Sequence, residues 1–158
     1  MRRYHPLHKE RIIQMTHAIY QEYNDAIYFL GADRDLLDID NHYIYQNGEF
    51  WIETDPEDST KIIGSIAVQR DEDNNLAVWL KRFYLLSEFY GSGLDKKMHN
   101  TAMEWCKLNQ IHKVHLWSDI RYHRANSFYK RNGYEQKAVR SVNYGGNSHQ
   151  EYYFVKKL

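Results

Sequence analysis

The sequence changes its periodicity twice midway along the chain, and this change constrains the fold more than any other feature. Residues 76–86 and 113–117 carry the β-branched and aromatic side chains that are typical of strands. Between them, apolar residues recur at steps of three or four from Leu94 to Cys106, as on one face of a helix. A strand, a helix and a strand in this order form a crossover, which pairs its two strands in parallel.

The segments before the crossover predict an antiparallel meander. Residues 49–54 and 61–70 have strand character, and short polar turns at 55–58 and 71–75 connect them to each other and to residues 76–86. Short polar connections favour hairpins, so neighbouring strands are expected to run in opposite directions.

Helical segments flank these strands. Apolar side chains at helical spacing predict a helix from Glu10 to Leu30, with Gly31 as its stop. The acidic connector that follows predicts one further helical turn, capped by Asp33, with Leu36 and Leu37 docked inward. After the crossover, the pattern predicts a helix over residues 122–132 and then a terminal hairpin of two strands, 134–142 and 149–155.

Composition and charge limit the fold and the function. The 158 residues are 42% hydrophobic and 27% charged, which is typical of one globular domain spanning residues 1–158. Lys plus Arg and Asp plus Glu number 21 each, so the chain lacks the broad positive field of a dedicated binder of nucleic acid or of an anionic membrane. With one cysteine, no signal pattern and no long apolar run, we expect a soluble cytoplasmic protein.

A glycine-rich turn separates the strand at 76–86 from the crossover helix. A turn at this place leaves the first N–H groups of the helix unpaired at the positive end of the helix dipole, where a phosphate can bind. Gly91 and Gly93 allow the main chain to approach such a ligand closely. A P-loop pattern is absent, and Lys96 replaces the third glycine of the dinucleotide fingerprint.

Residues 80–98, LKRFYLLSEFYGSGLDKKM, resemble the acetyl-CoA-binding motif of the GNAT N-acetyltransferase family. That motif is an apolar strand, a short turn and the pattern Arg/Gln-x-x-Gly-x-Gly/Ala at the start of a helix. The resemblance implies that Phe83, Tyr84 and Leu85 meet the pantetheine arm. It also implies a pyrophosphate site formed by Tyr90, Gly91, Ser92, Gly93, Leu94, Asp95 and Lys96.

Two positions depart from the motif. Tyr90 stands where the family usually has Arg or Gln, and Asp95 stands where it usually has Gly or Ala. The first change removes a cation, and the second places a carboxylate near a dianionic group at a cost on the order of 1 kcal/mol. Lys96 and Lys97 are available to offset that charge. We therefore expect weaker binding of acetyl-CoA than in a member with the full motif.

Residues 116–134 resemble a second pattern of the same family. Its elements, Asn-x-x-Ala, Phe/Leu-Tyr, a charged pair and Gly-Phe/Tyr, are matched by Ala125, Phe128-Tyr129, Lys130-Arg131 and Gly133-Tyr134, with Tyr122 in place of the asparagine. The resemblance implies that Tyr129 is catalytic. A phenol with a pKa near 10 can donate a proton to the thiolate that leaves when an amine attacks a thioester. The alternative is that Tyr129 only packs on the sheet.

The base that deprotonates the amine stays open between Asp119, Glu53 and a water molecule. Asp33, Asp35, Asp38 and Asp40 fall in a region that borders the acceptor site in the family, but a solvated connector is the favoured interpretation because charge runs are usually surface. No metal site is expected, since neither pair of closely spaced histidines, His5 with His8 or His112 with His115, has a third ligand at a convincing distance.

The resemblance implies a GNAT-like α/β (α+β) domain, with a mixed, mostly antiparallel sheet, a splayed parallel pair and flanking helices. It implies transfer of an acetyl group from acetyl-CoA to a primary amine of a small molecule or peptide by direct attack. Two alternatives stay open: a catalytically degenerate acyl-CoA-binding or sensor domain, and a nucleic-acid-binding domain, which the zero net charge disfavours. Neither nucleic acid nor a membrane is expected as a partner, and a homodimer stays open.

Overall fold

Seven strands form one sheet in the order β1-β2-β3-β4-β5-β7-β6 in the computed structural model, which describes residues 1–158. The strands are β1 (Arg2–Arg3), β2 (Glu49–Thr54), β3 (Ile62–Arg70), β4 (Ala77–Leu85), β5 (Lys113–Asp119), β6 (Glu135–Tyr144) and β7 (Asn147–Lys157). Every neighbouring pair is antiparallel except β4 with β5. The predicted fold class, meander and parallel pair are confirmed.

The parallel pair is short. β4 and β5 pair at only three positions, the last being Trp79 with His115. β4 continues to Leu85 and β5 to Asp119, so the two strands diverge beyond that position. The gap therefore opens at the carboxyl ends of both strands, next to the glycine turn.

Three α-helices cover the sheet: α1 (Lys9–Gln21), α2 (Leu94–Leu108) and α3 (His123–Arg131). α2 and α3 contribute Met98 and Phe128 to one apolar cluster, which also contains Ile66 of β3. α1 contributes Ile12 to a second cluster, which contains the next residue of β3, Ala67. Because successive strand residues point to opposite faces, the two clusters lie on opposite sides of the sheet.

α1 ends at Gln21, nine residues before the predicted end at Leu30, and that prediction is wrong. Asn24 adopts a left-handed φ of +54°, which interrupts the helix although the apolar periodicity continues. Leu30, which was expected on the buried face, is 87% exposed.

The chain after α1 packs instead on the hairpin of β6 and β7. Asn147 Nδ2 donates to Asp25 Oδ1 at 3.2 Å. The ring of Tyr28 covers Gly145, where an added Cβ would lie 3.0 Å from Tyr28 Cδ2. The two segments together form a roof over the gap between β4 and β5.

β4 contains a bulge at its centre. On β3, Ser65 pairs with Tyr84 and Ala67 pairs with Lys81. Two residues of β4, Arg82 and Phe83, therefore lie opposite the single β3 residue Ile66. Arg82 has a φ of +51°, a left-handed conformation that costs an arginine roughly 1–2 kcal/mol. The bulge redirects the side chains of the strand just where the site begins.

Candidate active site

Two cavities meet at the gap between β4 and β5. The smaller cavity, of about 80 Å³, is largely apolar and is lined by Ile19, Tyr23, Phe83, Tyr84, Leu85, Tyr90, Asp95, Tyr122, Arg124, Ala125 and Phe128. The larger cavity, of about 410 Å³, lies under the roof and is lined by the connector after α1, β4, the end of β5, α3 and the terminal hairpin. Phe83, Tyr84, Tyr122 and Ala125 line both cavities, so the two spaces share a wall.

The glycine turn presents open main chain at the start of α2. Gly91 and Gly93 have left-handed φ values of +80° and +81°, and an added Cβ at either position would meet nothing within 4 Å. The first N–H of α2 with a main-chain partner is that of Lys97, which donates to Gly93 O at 3.1 Å. The preceding N–H groups therefore remain at the positive end of the helix, an arrangement that fits an anion such as a pyrophosphate.

Asp95 is engaged on both of its oxygens. Lys96 N donates to Asp95 Oδ1 at 2.8 Å, and Arg124 Nη2 donates to Asp95 Oδ2 at 3.2 Å. The Arg124 guanidinium also lies 4.4 Å from the centre of the Tyr90 ring. A cation thus stands at the turn although Tyr90 is not one, and it comes from α3.

The strand-end residues face the cavities as a group. Phe83 and Tyr84 line both spaces, and Leu85 lines the smaller cavity. The Tyr84 hydroxyl lies 3.1 Å from that of Tyr20, on the side of the larger cavity. The structure therefore brings five residues of the predicted cofactor site together around the smaller cavity: Phe83, Tyr84, Leu85, Tyr90 and Asp95.

Tyr129 lies on the buried side of α3 and lines the larger cavity. It is 5% exposed, its ring packs against Tyr134 and Phe154, and its hydroxyl has no hydrogen-bond partner within the protein. Burial, and to a lesser degree Tyr84, raises the pKa of the Tyr129 phenol. The group is therefore a protonated donor that faces a cavity without an internal acceptor.

Two carboxylates of the acidic connector are buried, and the expectation of a solvated connector is wrong for them. Arg82 Nη1 donates to Asp33 Oδ1 at 2.7 Å, and Arg82 Nε donates to Asp35 Oδ2 at 2.9 Å. The predicted extra turn is present at Arg34–Leu37, but Asp33 does not cap it. Its second oxygen accepts instead from Tyr28 N at 2.8 Å.

The remaining parts of the connector behave differently. Asp38 is exposed, as expected for a surface charge. Leu36 is fully buried, whereas Leu37, which was expected to dock inward, is 47% exposed. Tyr20 and Tyr43 extend the buried network, with Tyr20 Oη donating to Asp33 at 2.9 Å and Tyr43 Oη donating to Asp35. The connector therefore forms a structured wall of the larger cavity.

The two candidate bases lie in different places. Asp119 lines the larger cavity, but both of its oxygens accept from Arg121, which donates at 2.6 Å to Oδ2. Glu53 lies outside the lining of both cavities and binds the terminal ammonium of Met1 at 3.1 Å and Lys97 at 2.9 Å. Only Asp119 is therefore near the site.

A possible cation site nearby is already neutralised. Asp25, Asp119 and His149 offer ligand atoms within 4.8 Å of one another. Arg121 donates to Asp25 Oδ2 at 2.9 Å and to Asp119 Oδ2 at 2.6 Å, so its guanidinium already occupies the carboxylates. This arrangement does not favour a metal ion.

Sequence reasoning missed the roles of three arginines. The sequence indicated no role at the site for Arg121 and Arg124, whereas both residues are paired with carboxylates at the cavities. A partial signal for Arg124 is its place at the second position of α3. α3 follows β5 and the glycine turn follows β4, and the carboxyl ends of two parallel strands lie at the same edge of a sheet. No local signal marked Arg82, whose partners are 47 and 49 residues away.

Comparison with known proteins decides the family. The model of the Acetyltransferase (GNAT) family matches residues 15–134, which is most of the chain. The match includes the four residues that line both cavities. This chain belongs to the GNAT acetyltransferase family. The family assignment that the two motifs implied is confirmed, and GNAT enzymes use an acyl-CoA co-substrate and amine acceptors.

Curated relatives of this chain are distant. An uncharacterized N-acetyltransferase of Mycobacterium tuberculosis is 28% identical over 102 residues, which is 62% of this chain and 62% of the relative. The N-acetylaspartate synthetase of Xenopus tropicalis is 26% identical over 106 residues, which is 66% of this chain and 38% of the relative. The chain thus aligns with less than two thirds of the length of either relative.

Solved GNAT structures share the whole fold. A GNAT acetyltransferase from Staphylococcus aureus superposes with a TM-score of 0.81 at 22% identity, covering 99% of this chain and 96% of that one. Arabidopsis thaliana NAA60, solved with a bisubstrate analogue, gives a TM-score of 0.76 at 16% identity, covering 99% of this chain and 95% of that one.

None of the helices combines the length and the apolar character that crossing a membrane requires.

Proposed function

We propose that this chain is an N-acetyltransferase that moves the acetyl group of acetyl-CoA to a primary amine by direct attack. The observation that carries the proposal is the hydroxyl of Tyr129, which has no hydrogen-bond partner within the protein and faces the larger cavity. The larger cavity shares a wall with the smaller cavity, which adjoins the glycine turn. One space is suited to a thioester carrier and the adjoining space to an acceptor. The family, whose members use acyl-CoA, supports the same division.

The glycine turn holds the carrier. Acetyl-CoA supplies the thioester carbonyl that the amine attacks. The N–H groups of residues 93–96 bind its pyrophosphate, because they lack main-chain partners and lie at the positive end of α2. The free edge of β4 at Phe83–Leu85 offers main chain to the pantetheine arm, and an N–H near Leu85 polarises the carbonyl oxygen.

Tyr129 acts as the general acid. Collapse of the tetrahedral intermediate expels a thiolate, and a phenol within hydrogen-bond reach can protonate it. Because burial raises the pKa of Tyr129, the phenol stays protonated throughout the neutral range. The packing of its ring against Tyr134 and Phe154 fixes the direction of the hydroxyl.

The proton of the acceptor ammonium leaves through solvent in the larger cavity. Asp119 is held on both oxygens by Arg121, and Glu53 is paired elsewhere, so neither carboxylate is a free base. A cavity of about 410 Å³ has room for water beside a small acceptor.

Attack is direct, without an acyl-enzyme. Cys106 is fully buried inside α2, and burial raises the pKa of its thiol to about 12. A thiol in this state is a poor nucleophile at neutral pH. The chain has no other cysteine.

Replacement of Tyr129 by Phe tests the proposal. We expect kcat for thiol release from acetyl-CoA, measured with a panel of amines, to fall about 10²- to 10⁴-fold, while calorimetric affinity for acetyl-CoA stays unchanged. Tyr152→Phe is the matched control, because Tyr152 lies on the neighbouring strand outside both cavities and should keep full activity. Because the pKa of Tyr129 is raised, kcat of the unmodified chain should show no loss of this acid below about pH 10. Equal kcat in Tyr129→Phe and the unmodified chain would refute the assignment.

Asp95 keeps a second candidate function open, that of an acyl-CoA-binding domain without turnover. Its carboxylate occupies Lys96 N–H, one of the groups available to a pyrophosphate. Heat of binding with acetyl-CoA but no thiol release with any amine would favour this second function.

A further inference from the structure

The carboxylates that face the larger cavity are all paired with arginine. There are five of them: Asp25 and Asp119 with Arg121, Asp33 and Asp35 with Arg82, and Glu151 with Arg140. Excluding the Asp35 pair, the shortest N···O distances run from 2.6 to 2.9 Å. An acceptor with a second cationic group would therefore find no free carboxylate here.

Lys81 is the opposite case. It lies on β4 and lines the larger cavity, yet it has no carboxylate within 4.0 Å and no hydrogen-bond acceptor, and its ammonium rests 5.7 Å from the Trp79 ring. The charges that act on its pKa belong to two ion pairs that also line the cavity, Arg82 with Asp35 and Arg140 with Glu151. The unmatched charge of the cavity is thus a cation on its wall.

The surroundings make this ammonium ready for an anion. Lys81 is exposed to solvent, and partial desolvation by the surrounding protein lowers the pKa of its ammonium. A carboxylate brought next to it would restore the stabilisation that desolvation removes, and hydrogen bonds between charged groups are the strong ones. Arg34, which is exposed and also lines the larger cavity, is a second cation without a carboxylate partner.

We propose that the acceptor is an amine that also carries a carboxylate, as a free amino acid does, and that Lys81 binds this carboxylate. The inference rests on the proposed function and specifies its substrate class. Lys81 and the proposed thioester site near Leu85 lie on the same strand four residues apart, which corresponds to at most about 13 Å at about 3.3 Å per residue. Lys81 and Tyr84, the residue before Leu85, both line the larger cavity, so an amino acid bound in that cavity can lie between the Lys81 ammonium and the thioester site.

The charge of Lys81 also favours the reactive form of the acceptor. An amine attacks only after its ammonium has lost a proton, and a neighbouring cation lowers the pKa of that ammonium. Lys81 would therefore hold the acceptor by one end and promote deprotonation at the other. A diamine would gain neither effect.

Matched acceptors test the proposal. Each of a series of amino acids is compared with its decarboxylated amine, for example leucine with 3-methylbutylamine and phenylalanine with 2-phenylethylamine, and kcat/KM for thiol release is measured. We expect the carboxylate-bearing member to be preferred by about tenfold or more in at least one pair. Lys81→Met should remove this preference through KM, Lys81→Arg should keep it in part, and Lys107→Met, which removes an exposed lysine of α2 outside both cavities, should leave it unchanged.

Two results would overturn the inference: equal kcat/KM within every pair, or an equal loss for both members in Lys81→Met. A binding measurement separates this failure from that of the proposed function. Calorimetry with CoA present compares N-acetylleucine with N-acetyl-3-methylbutylamine. Selective binding of N-acetylleucine that disappears in Lys81→Met, with no turnover of any amine, would refute the transferase and support the carboxylate site, whereas absence of selectivity in both assays would refute the site.

Discussion

The two cavities of this GNAT chain are lined by different kinds of chemical groups. The smaller cavity adjoins a glycine turn whose ligand-facing groups are main-chain N–H groups, and most of its lining is apolar. The larger cavity is walled by ion pairs between side chains that are distant in sequence, such as Arg82 with Asp33. On the proposed function, main chain, which substitution hardly changes, would bind the carrier, and side chains, which can diverge, would bind the acceptor.

The largest effect that this comparison predicts is on stability, at the larger cavity. Arg82→Met should lower the free energy of unfolding by about 3–5 kcal/mol, because it leaves Asp33 and Asp35 buried without their cation. Urea denaturation measures the change. Arg131→Met, on the exposed side of α3, is the control and should change stability by less than about 0.5 kcal/mol. A loss of similar size in both variants would show that the ion-paired wall is not a structural unit.

A smaller effect is expected on the other side of the shared wall. Arg124→Gln should weaken acetyl-CoA binding about tenfold at low salt, since it removes a cation at the glycine turn and leaves Asp95 unneutralised. The difference should shrink as ionic strength rises. Calorimetry checks the affinity, with Arg131→Gln as the control on the same helix. Unchanged affinity would mean that main chain alone holds the pyrophosphate.

The smallest effect sharpens the comparison at a single charge. Asp95→Asn should tighten acetyl-CoA binding about fivefold, equivalent to about 1 kcal/mol, because it removes a negative charge near the pyrophosphate while keeping an oxygen for Lys96 N–H. The same calorimetric titration applies, and Glu104→Gln, on the exposed face of α2, is the matched loss of charge. Weaker binding in Asp95→Asn would show that the carboxylate serves to hold Arg124 in place.

Local patterns predicted the features that local chemistry determines. The strands and the crossover follow from periodicity, and β2 has the predicted bounds of residues 49–54. The glycine turn was predicted from Gly91 and Gly93, and both glycines adopt left-handed φ values at that place. Tyr129 was selected by the family resemblance, through its register with Ala125 and Gly133-Tyr134, and its position at a cavity depends on α3 packing as an amphipathic helix.

Features that depend on distant partners were not predictable in this way. Nothing near Asp33 indicates burial, because its partner Arg82 is 49 residues away and projects from a bulge in β4. The early end of α1 depends on Asn24 and on contacts with a hairpin more than a hundred residues later. Charge runs are usually solvated, so the general rule pointed away from the true arrangement.

The roof over the larger cavity has a consequence for the order of events. Its two segments belong to opposite ends of the chain and touch through groups such as Asp25 with Asn147 and Tyr28 with Gly145, without sharing a strand pair. Parting them exposes the cavity and leaves all seven strands paired. On the proposed function, such an opening would give the acceptor and the acetylated product a route separate from the glycine turn, where the carrier is proposed to bind.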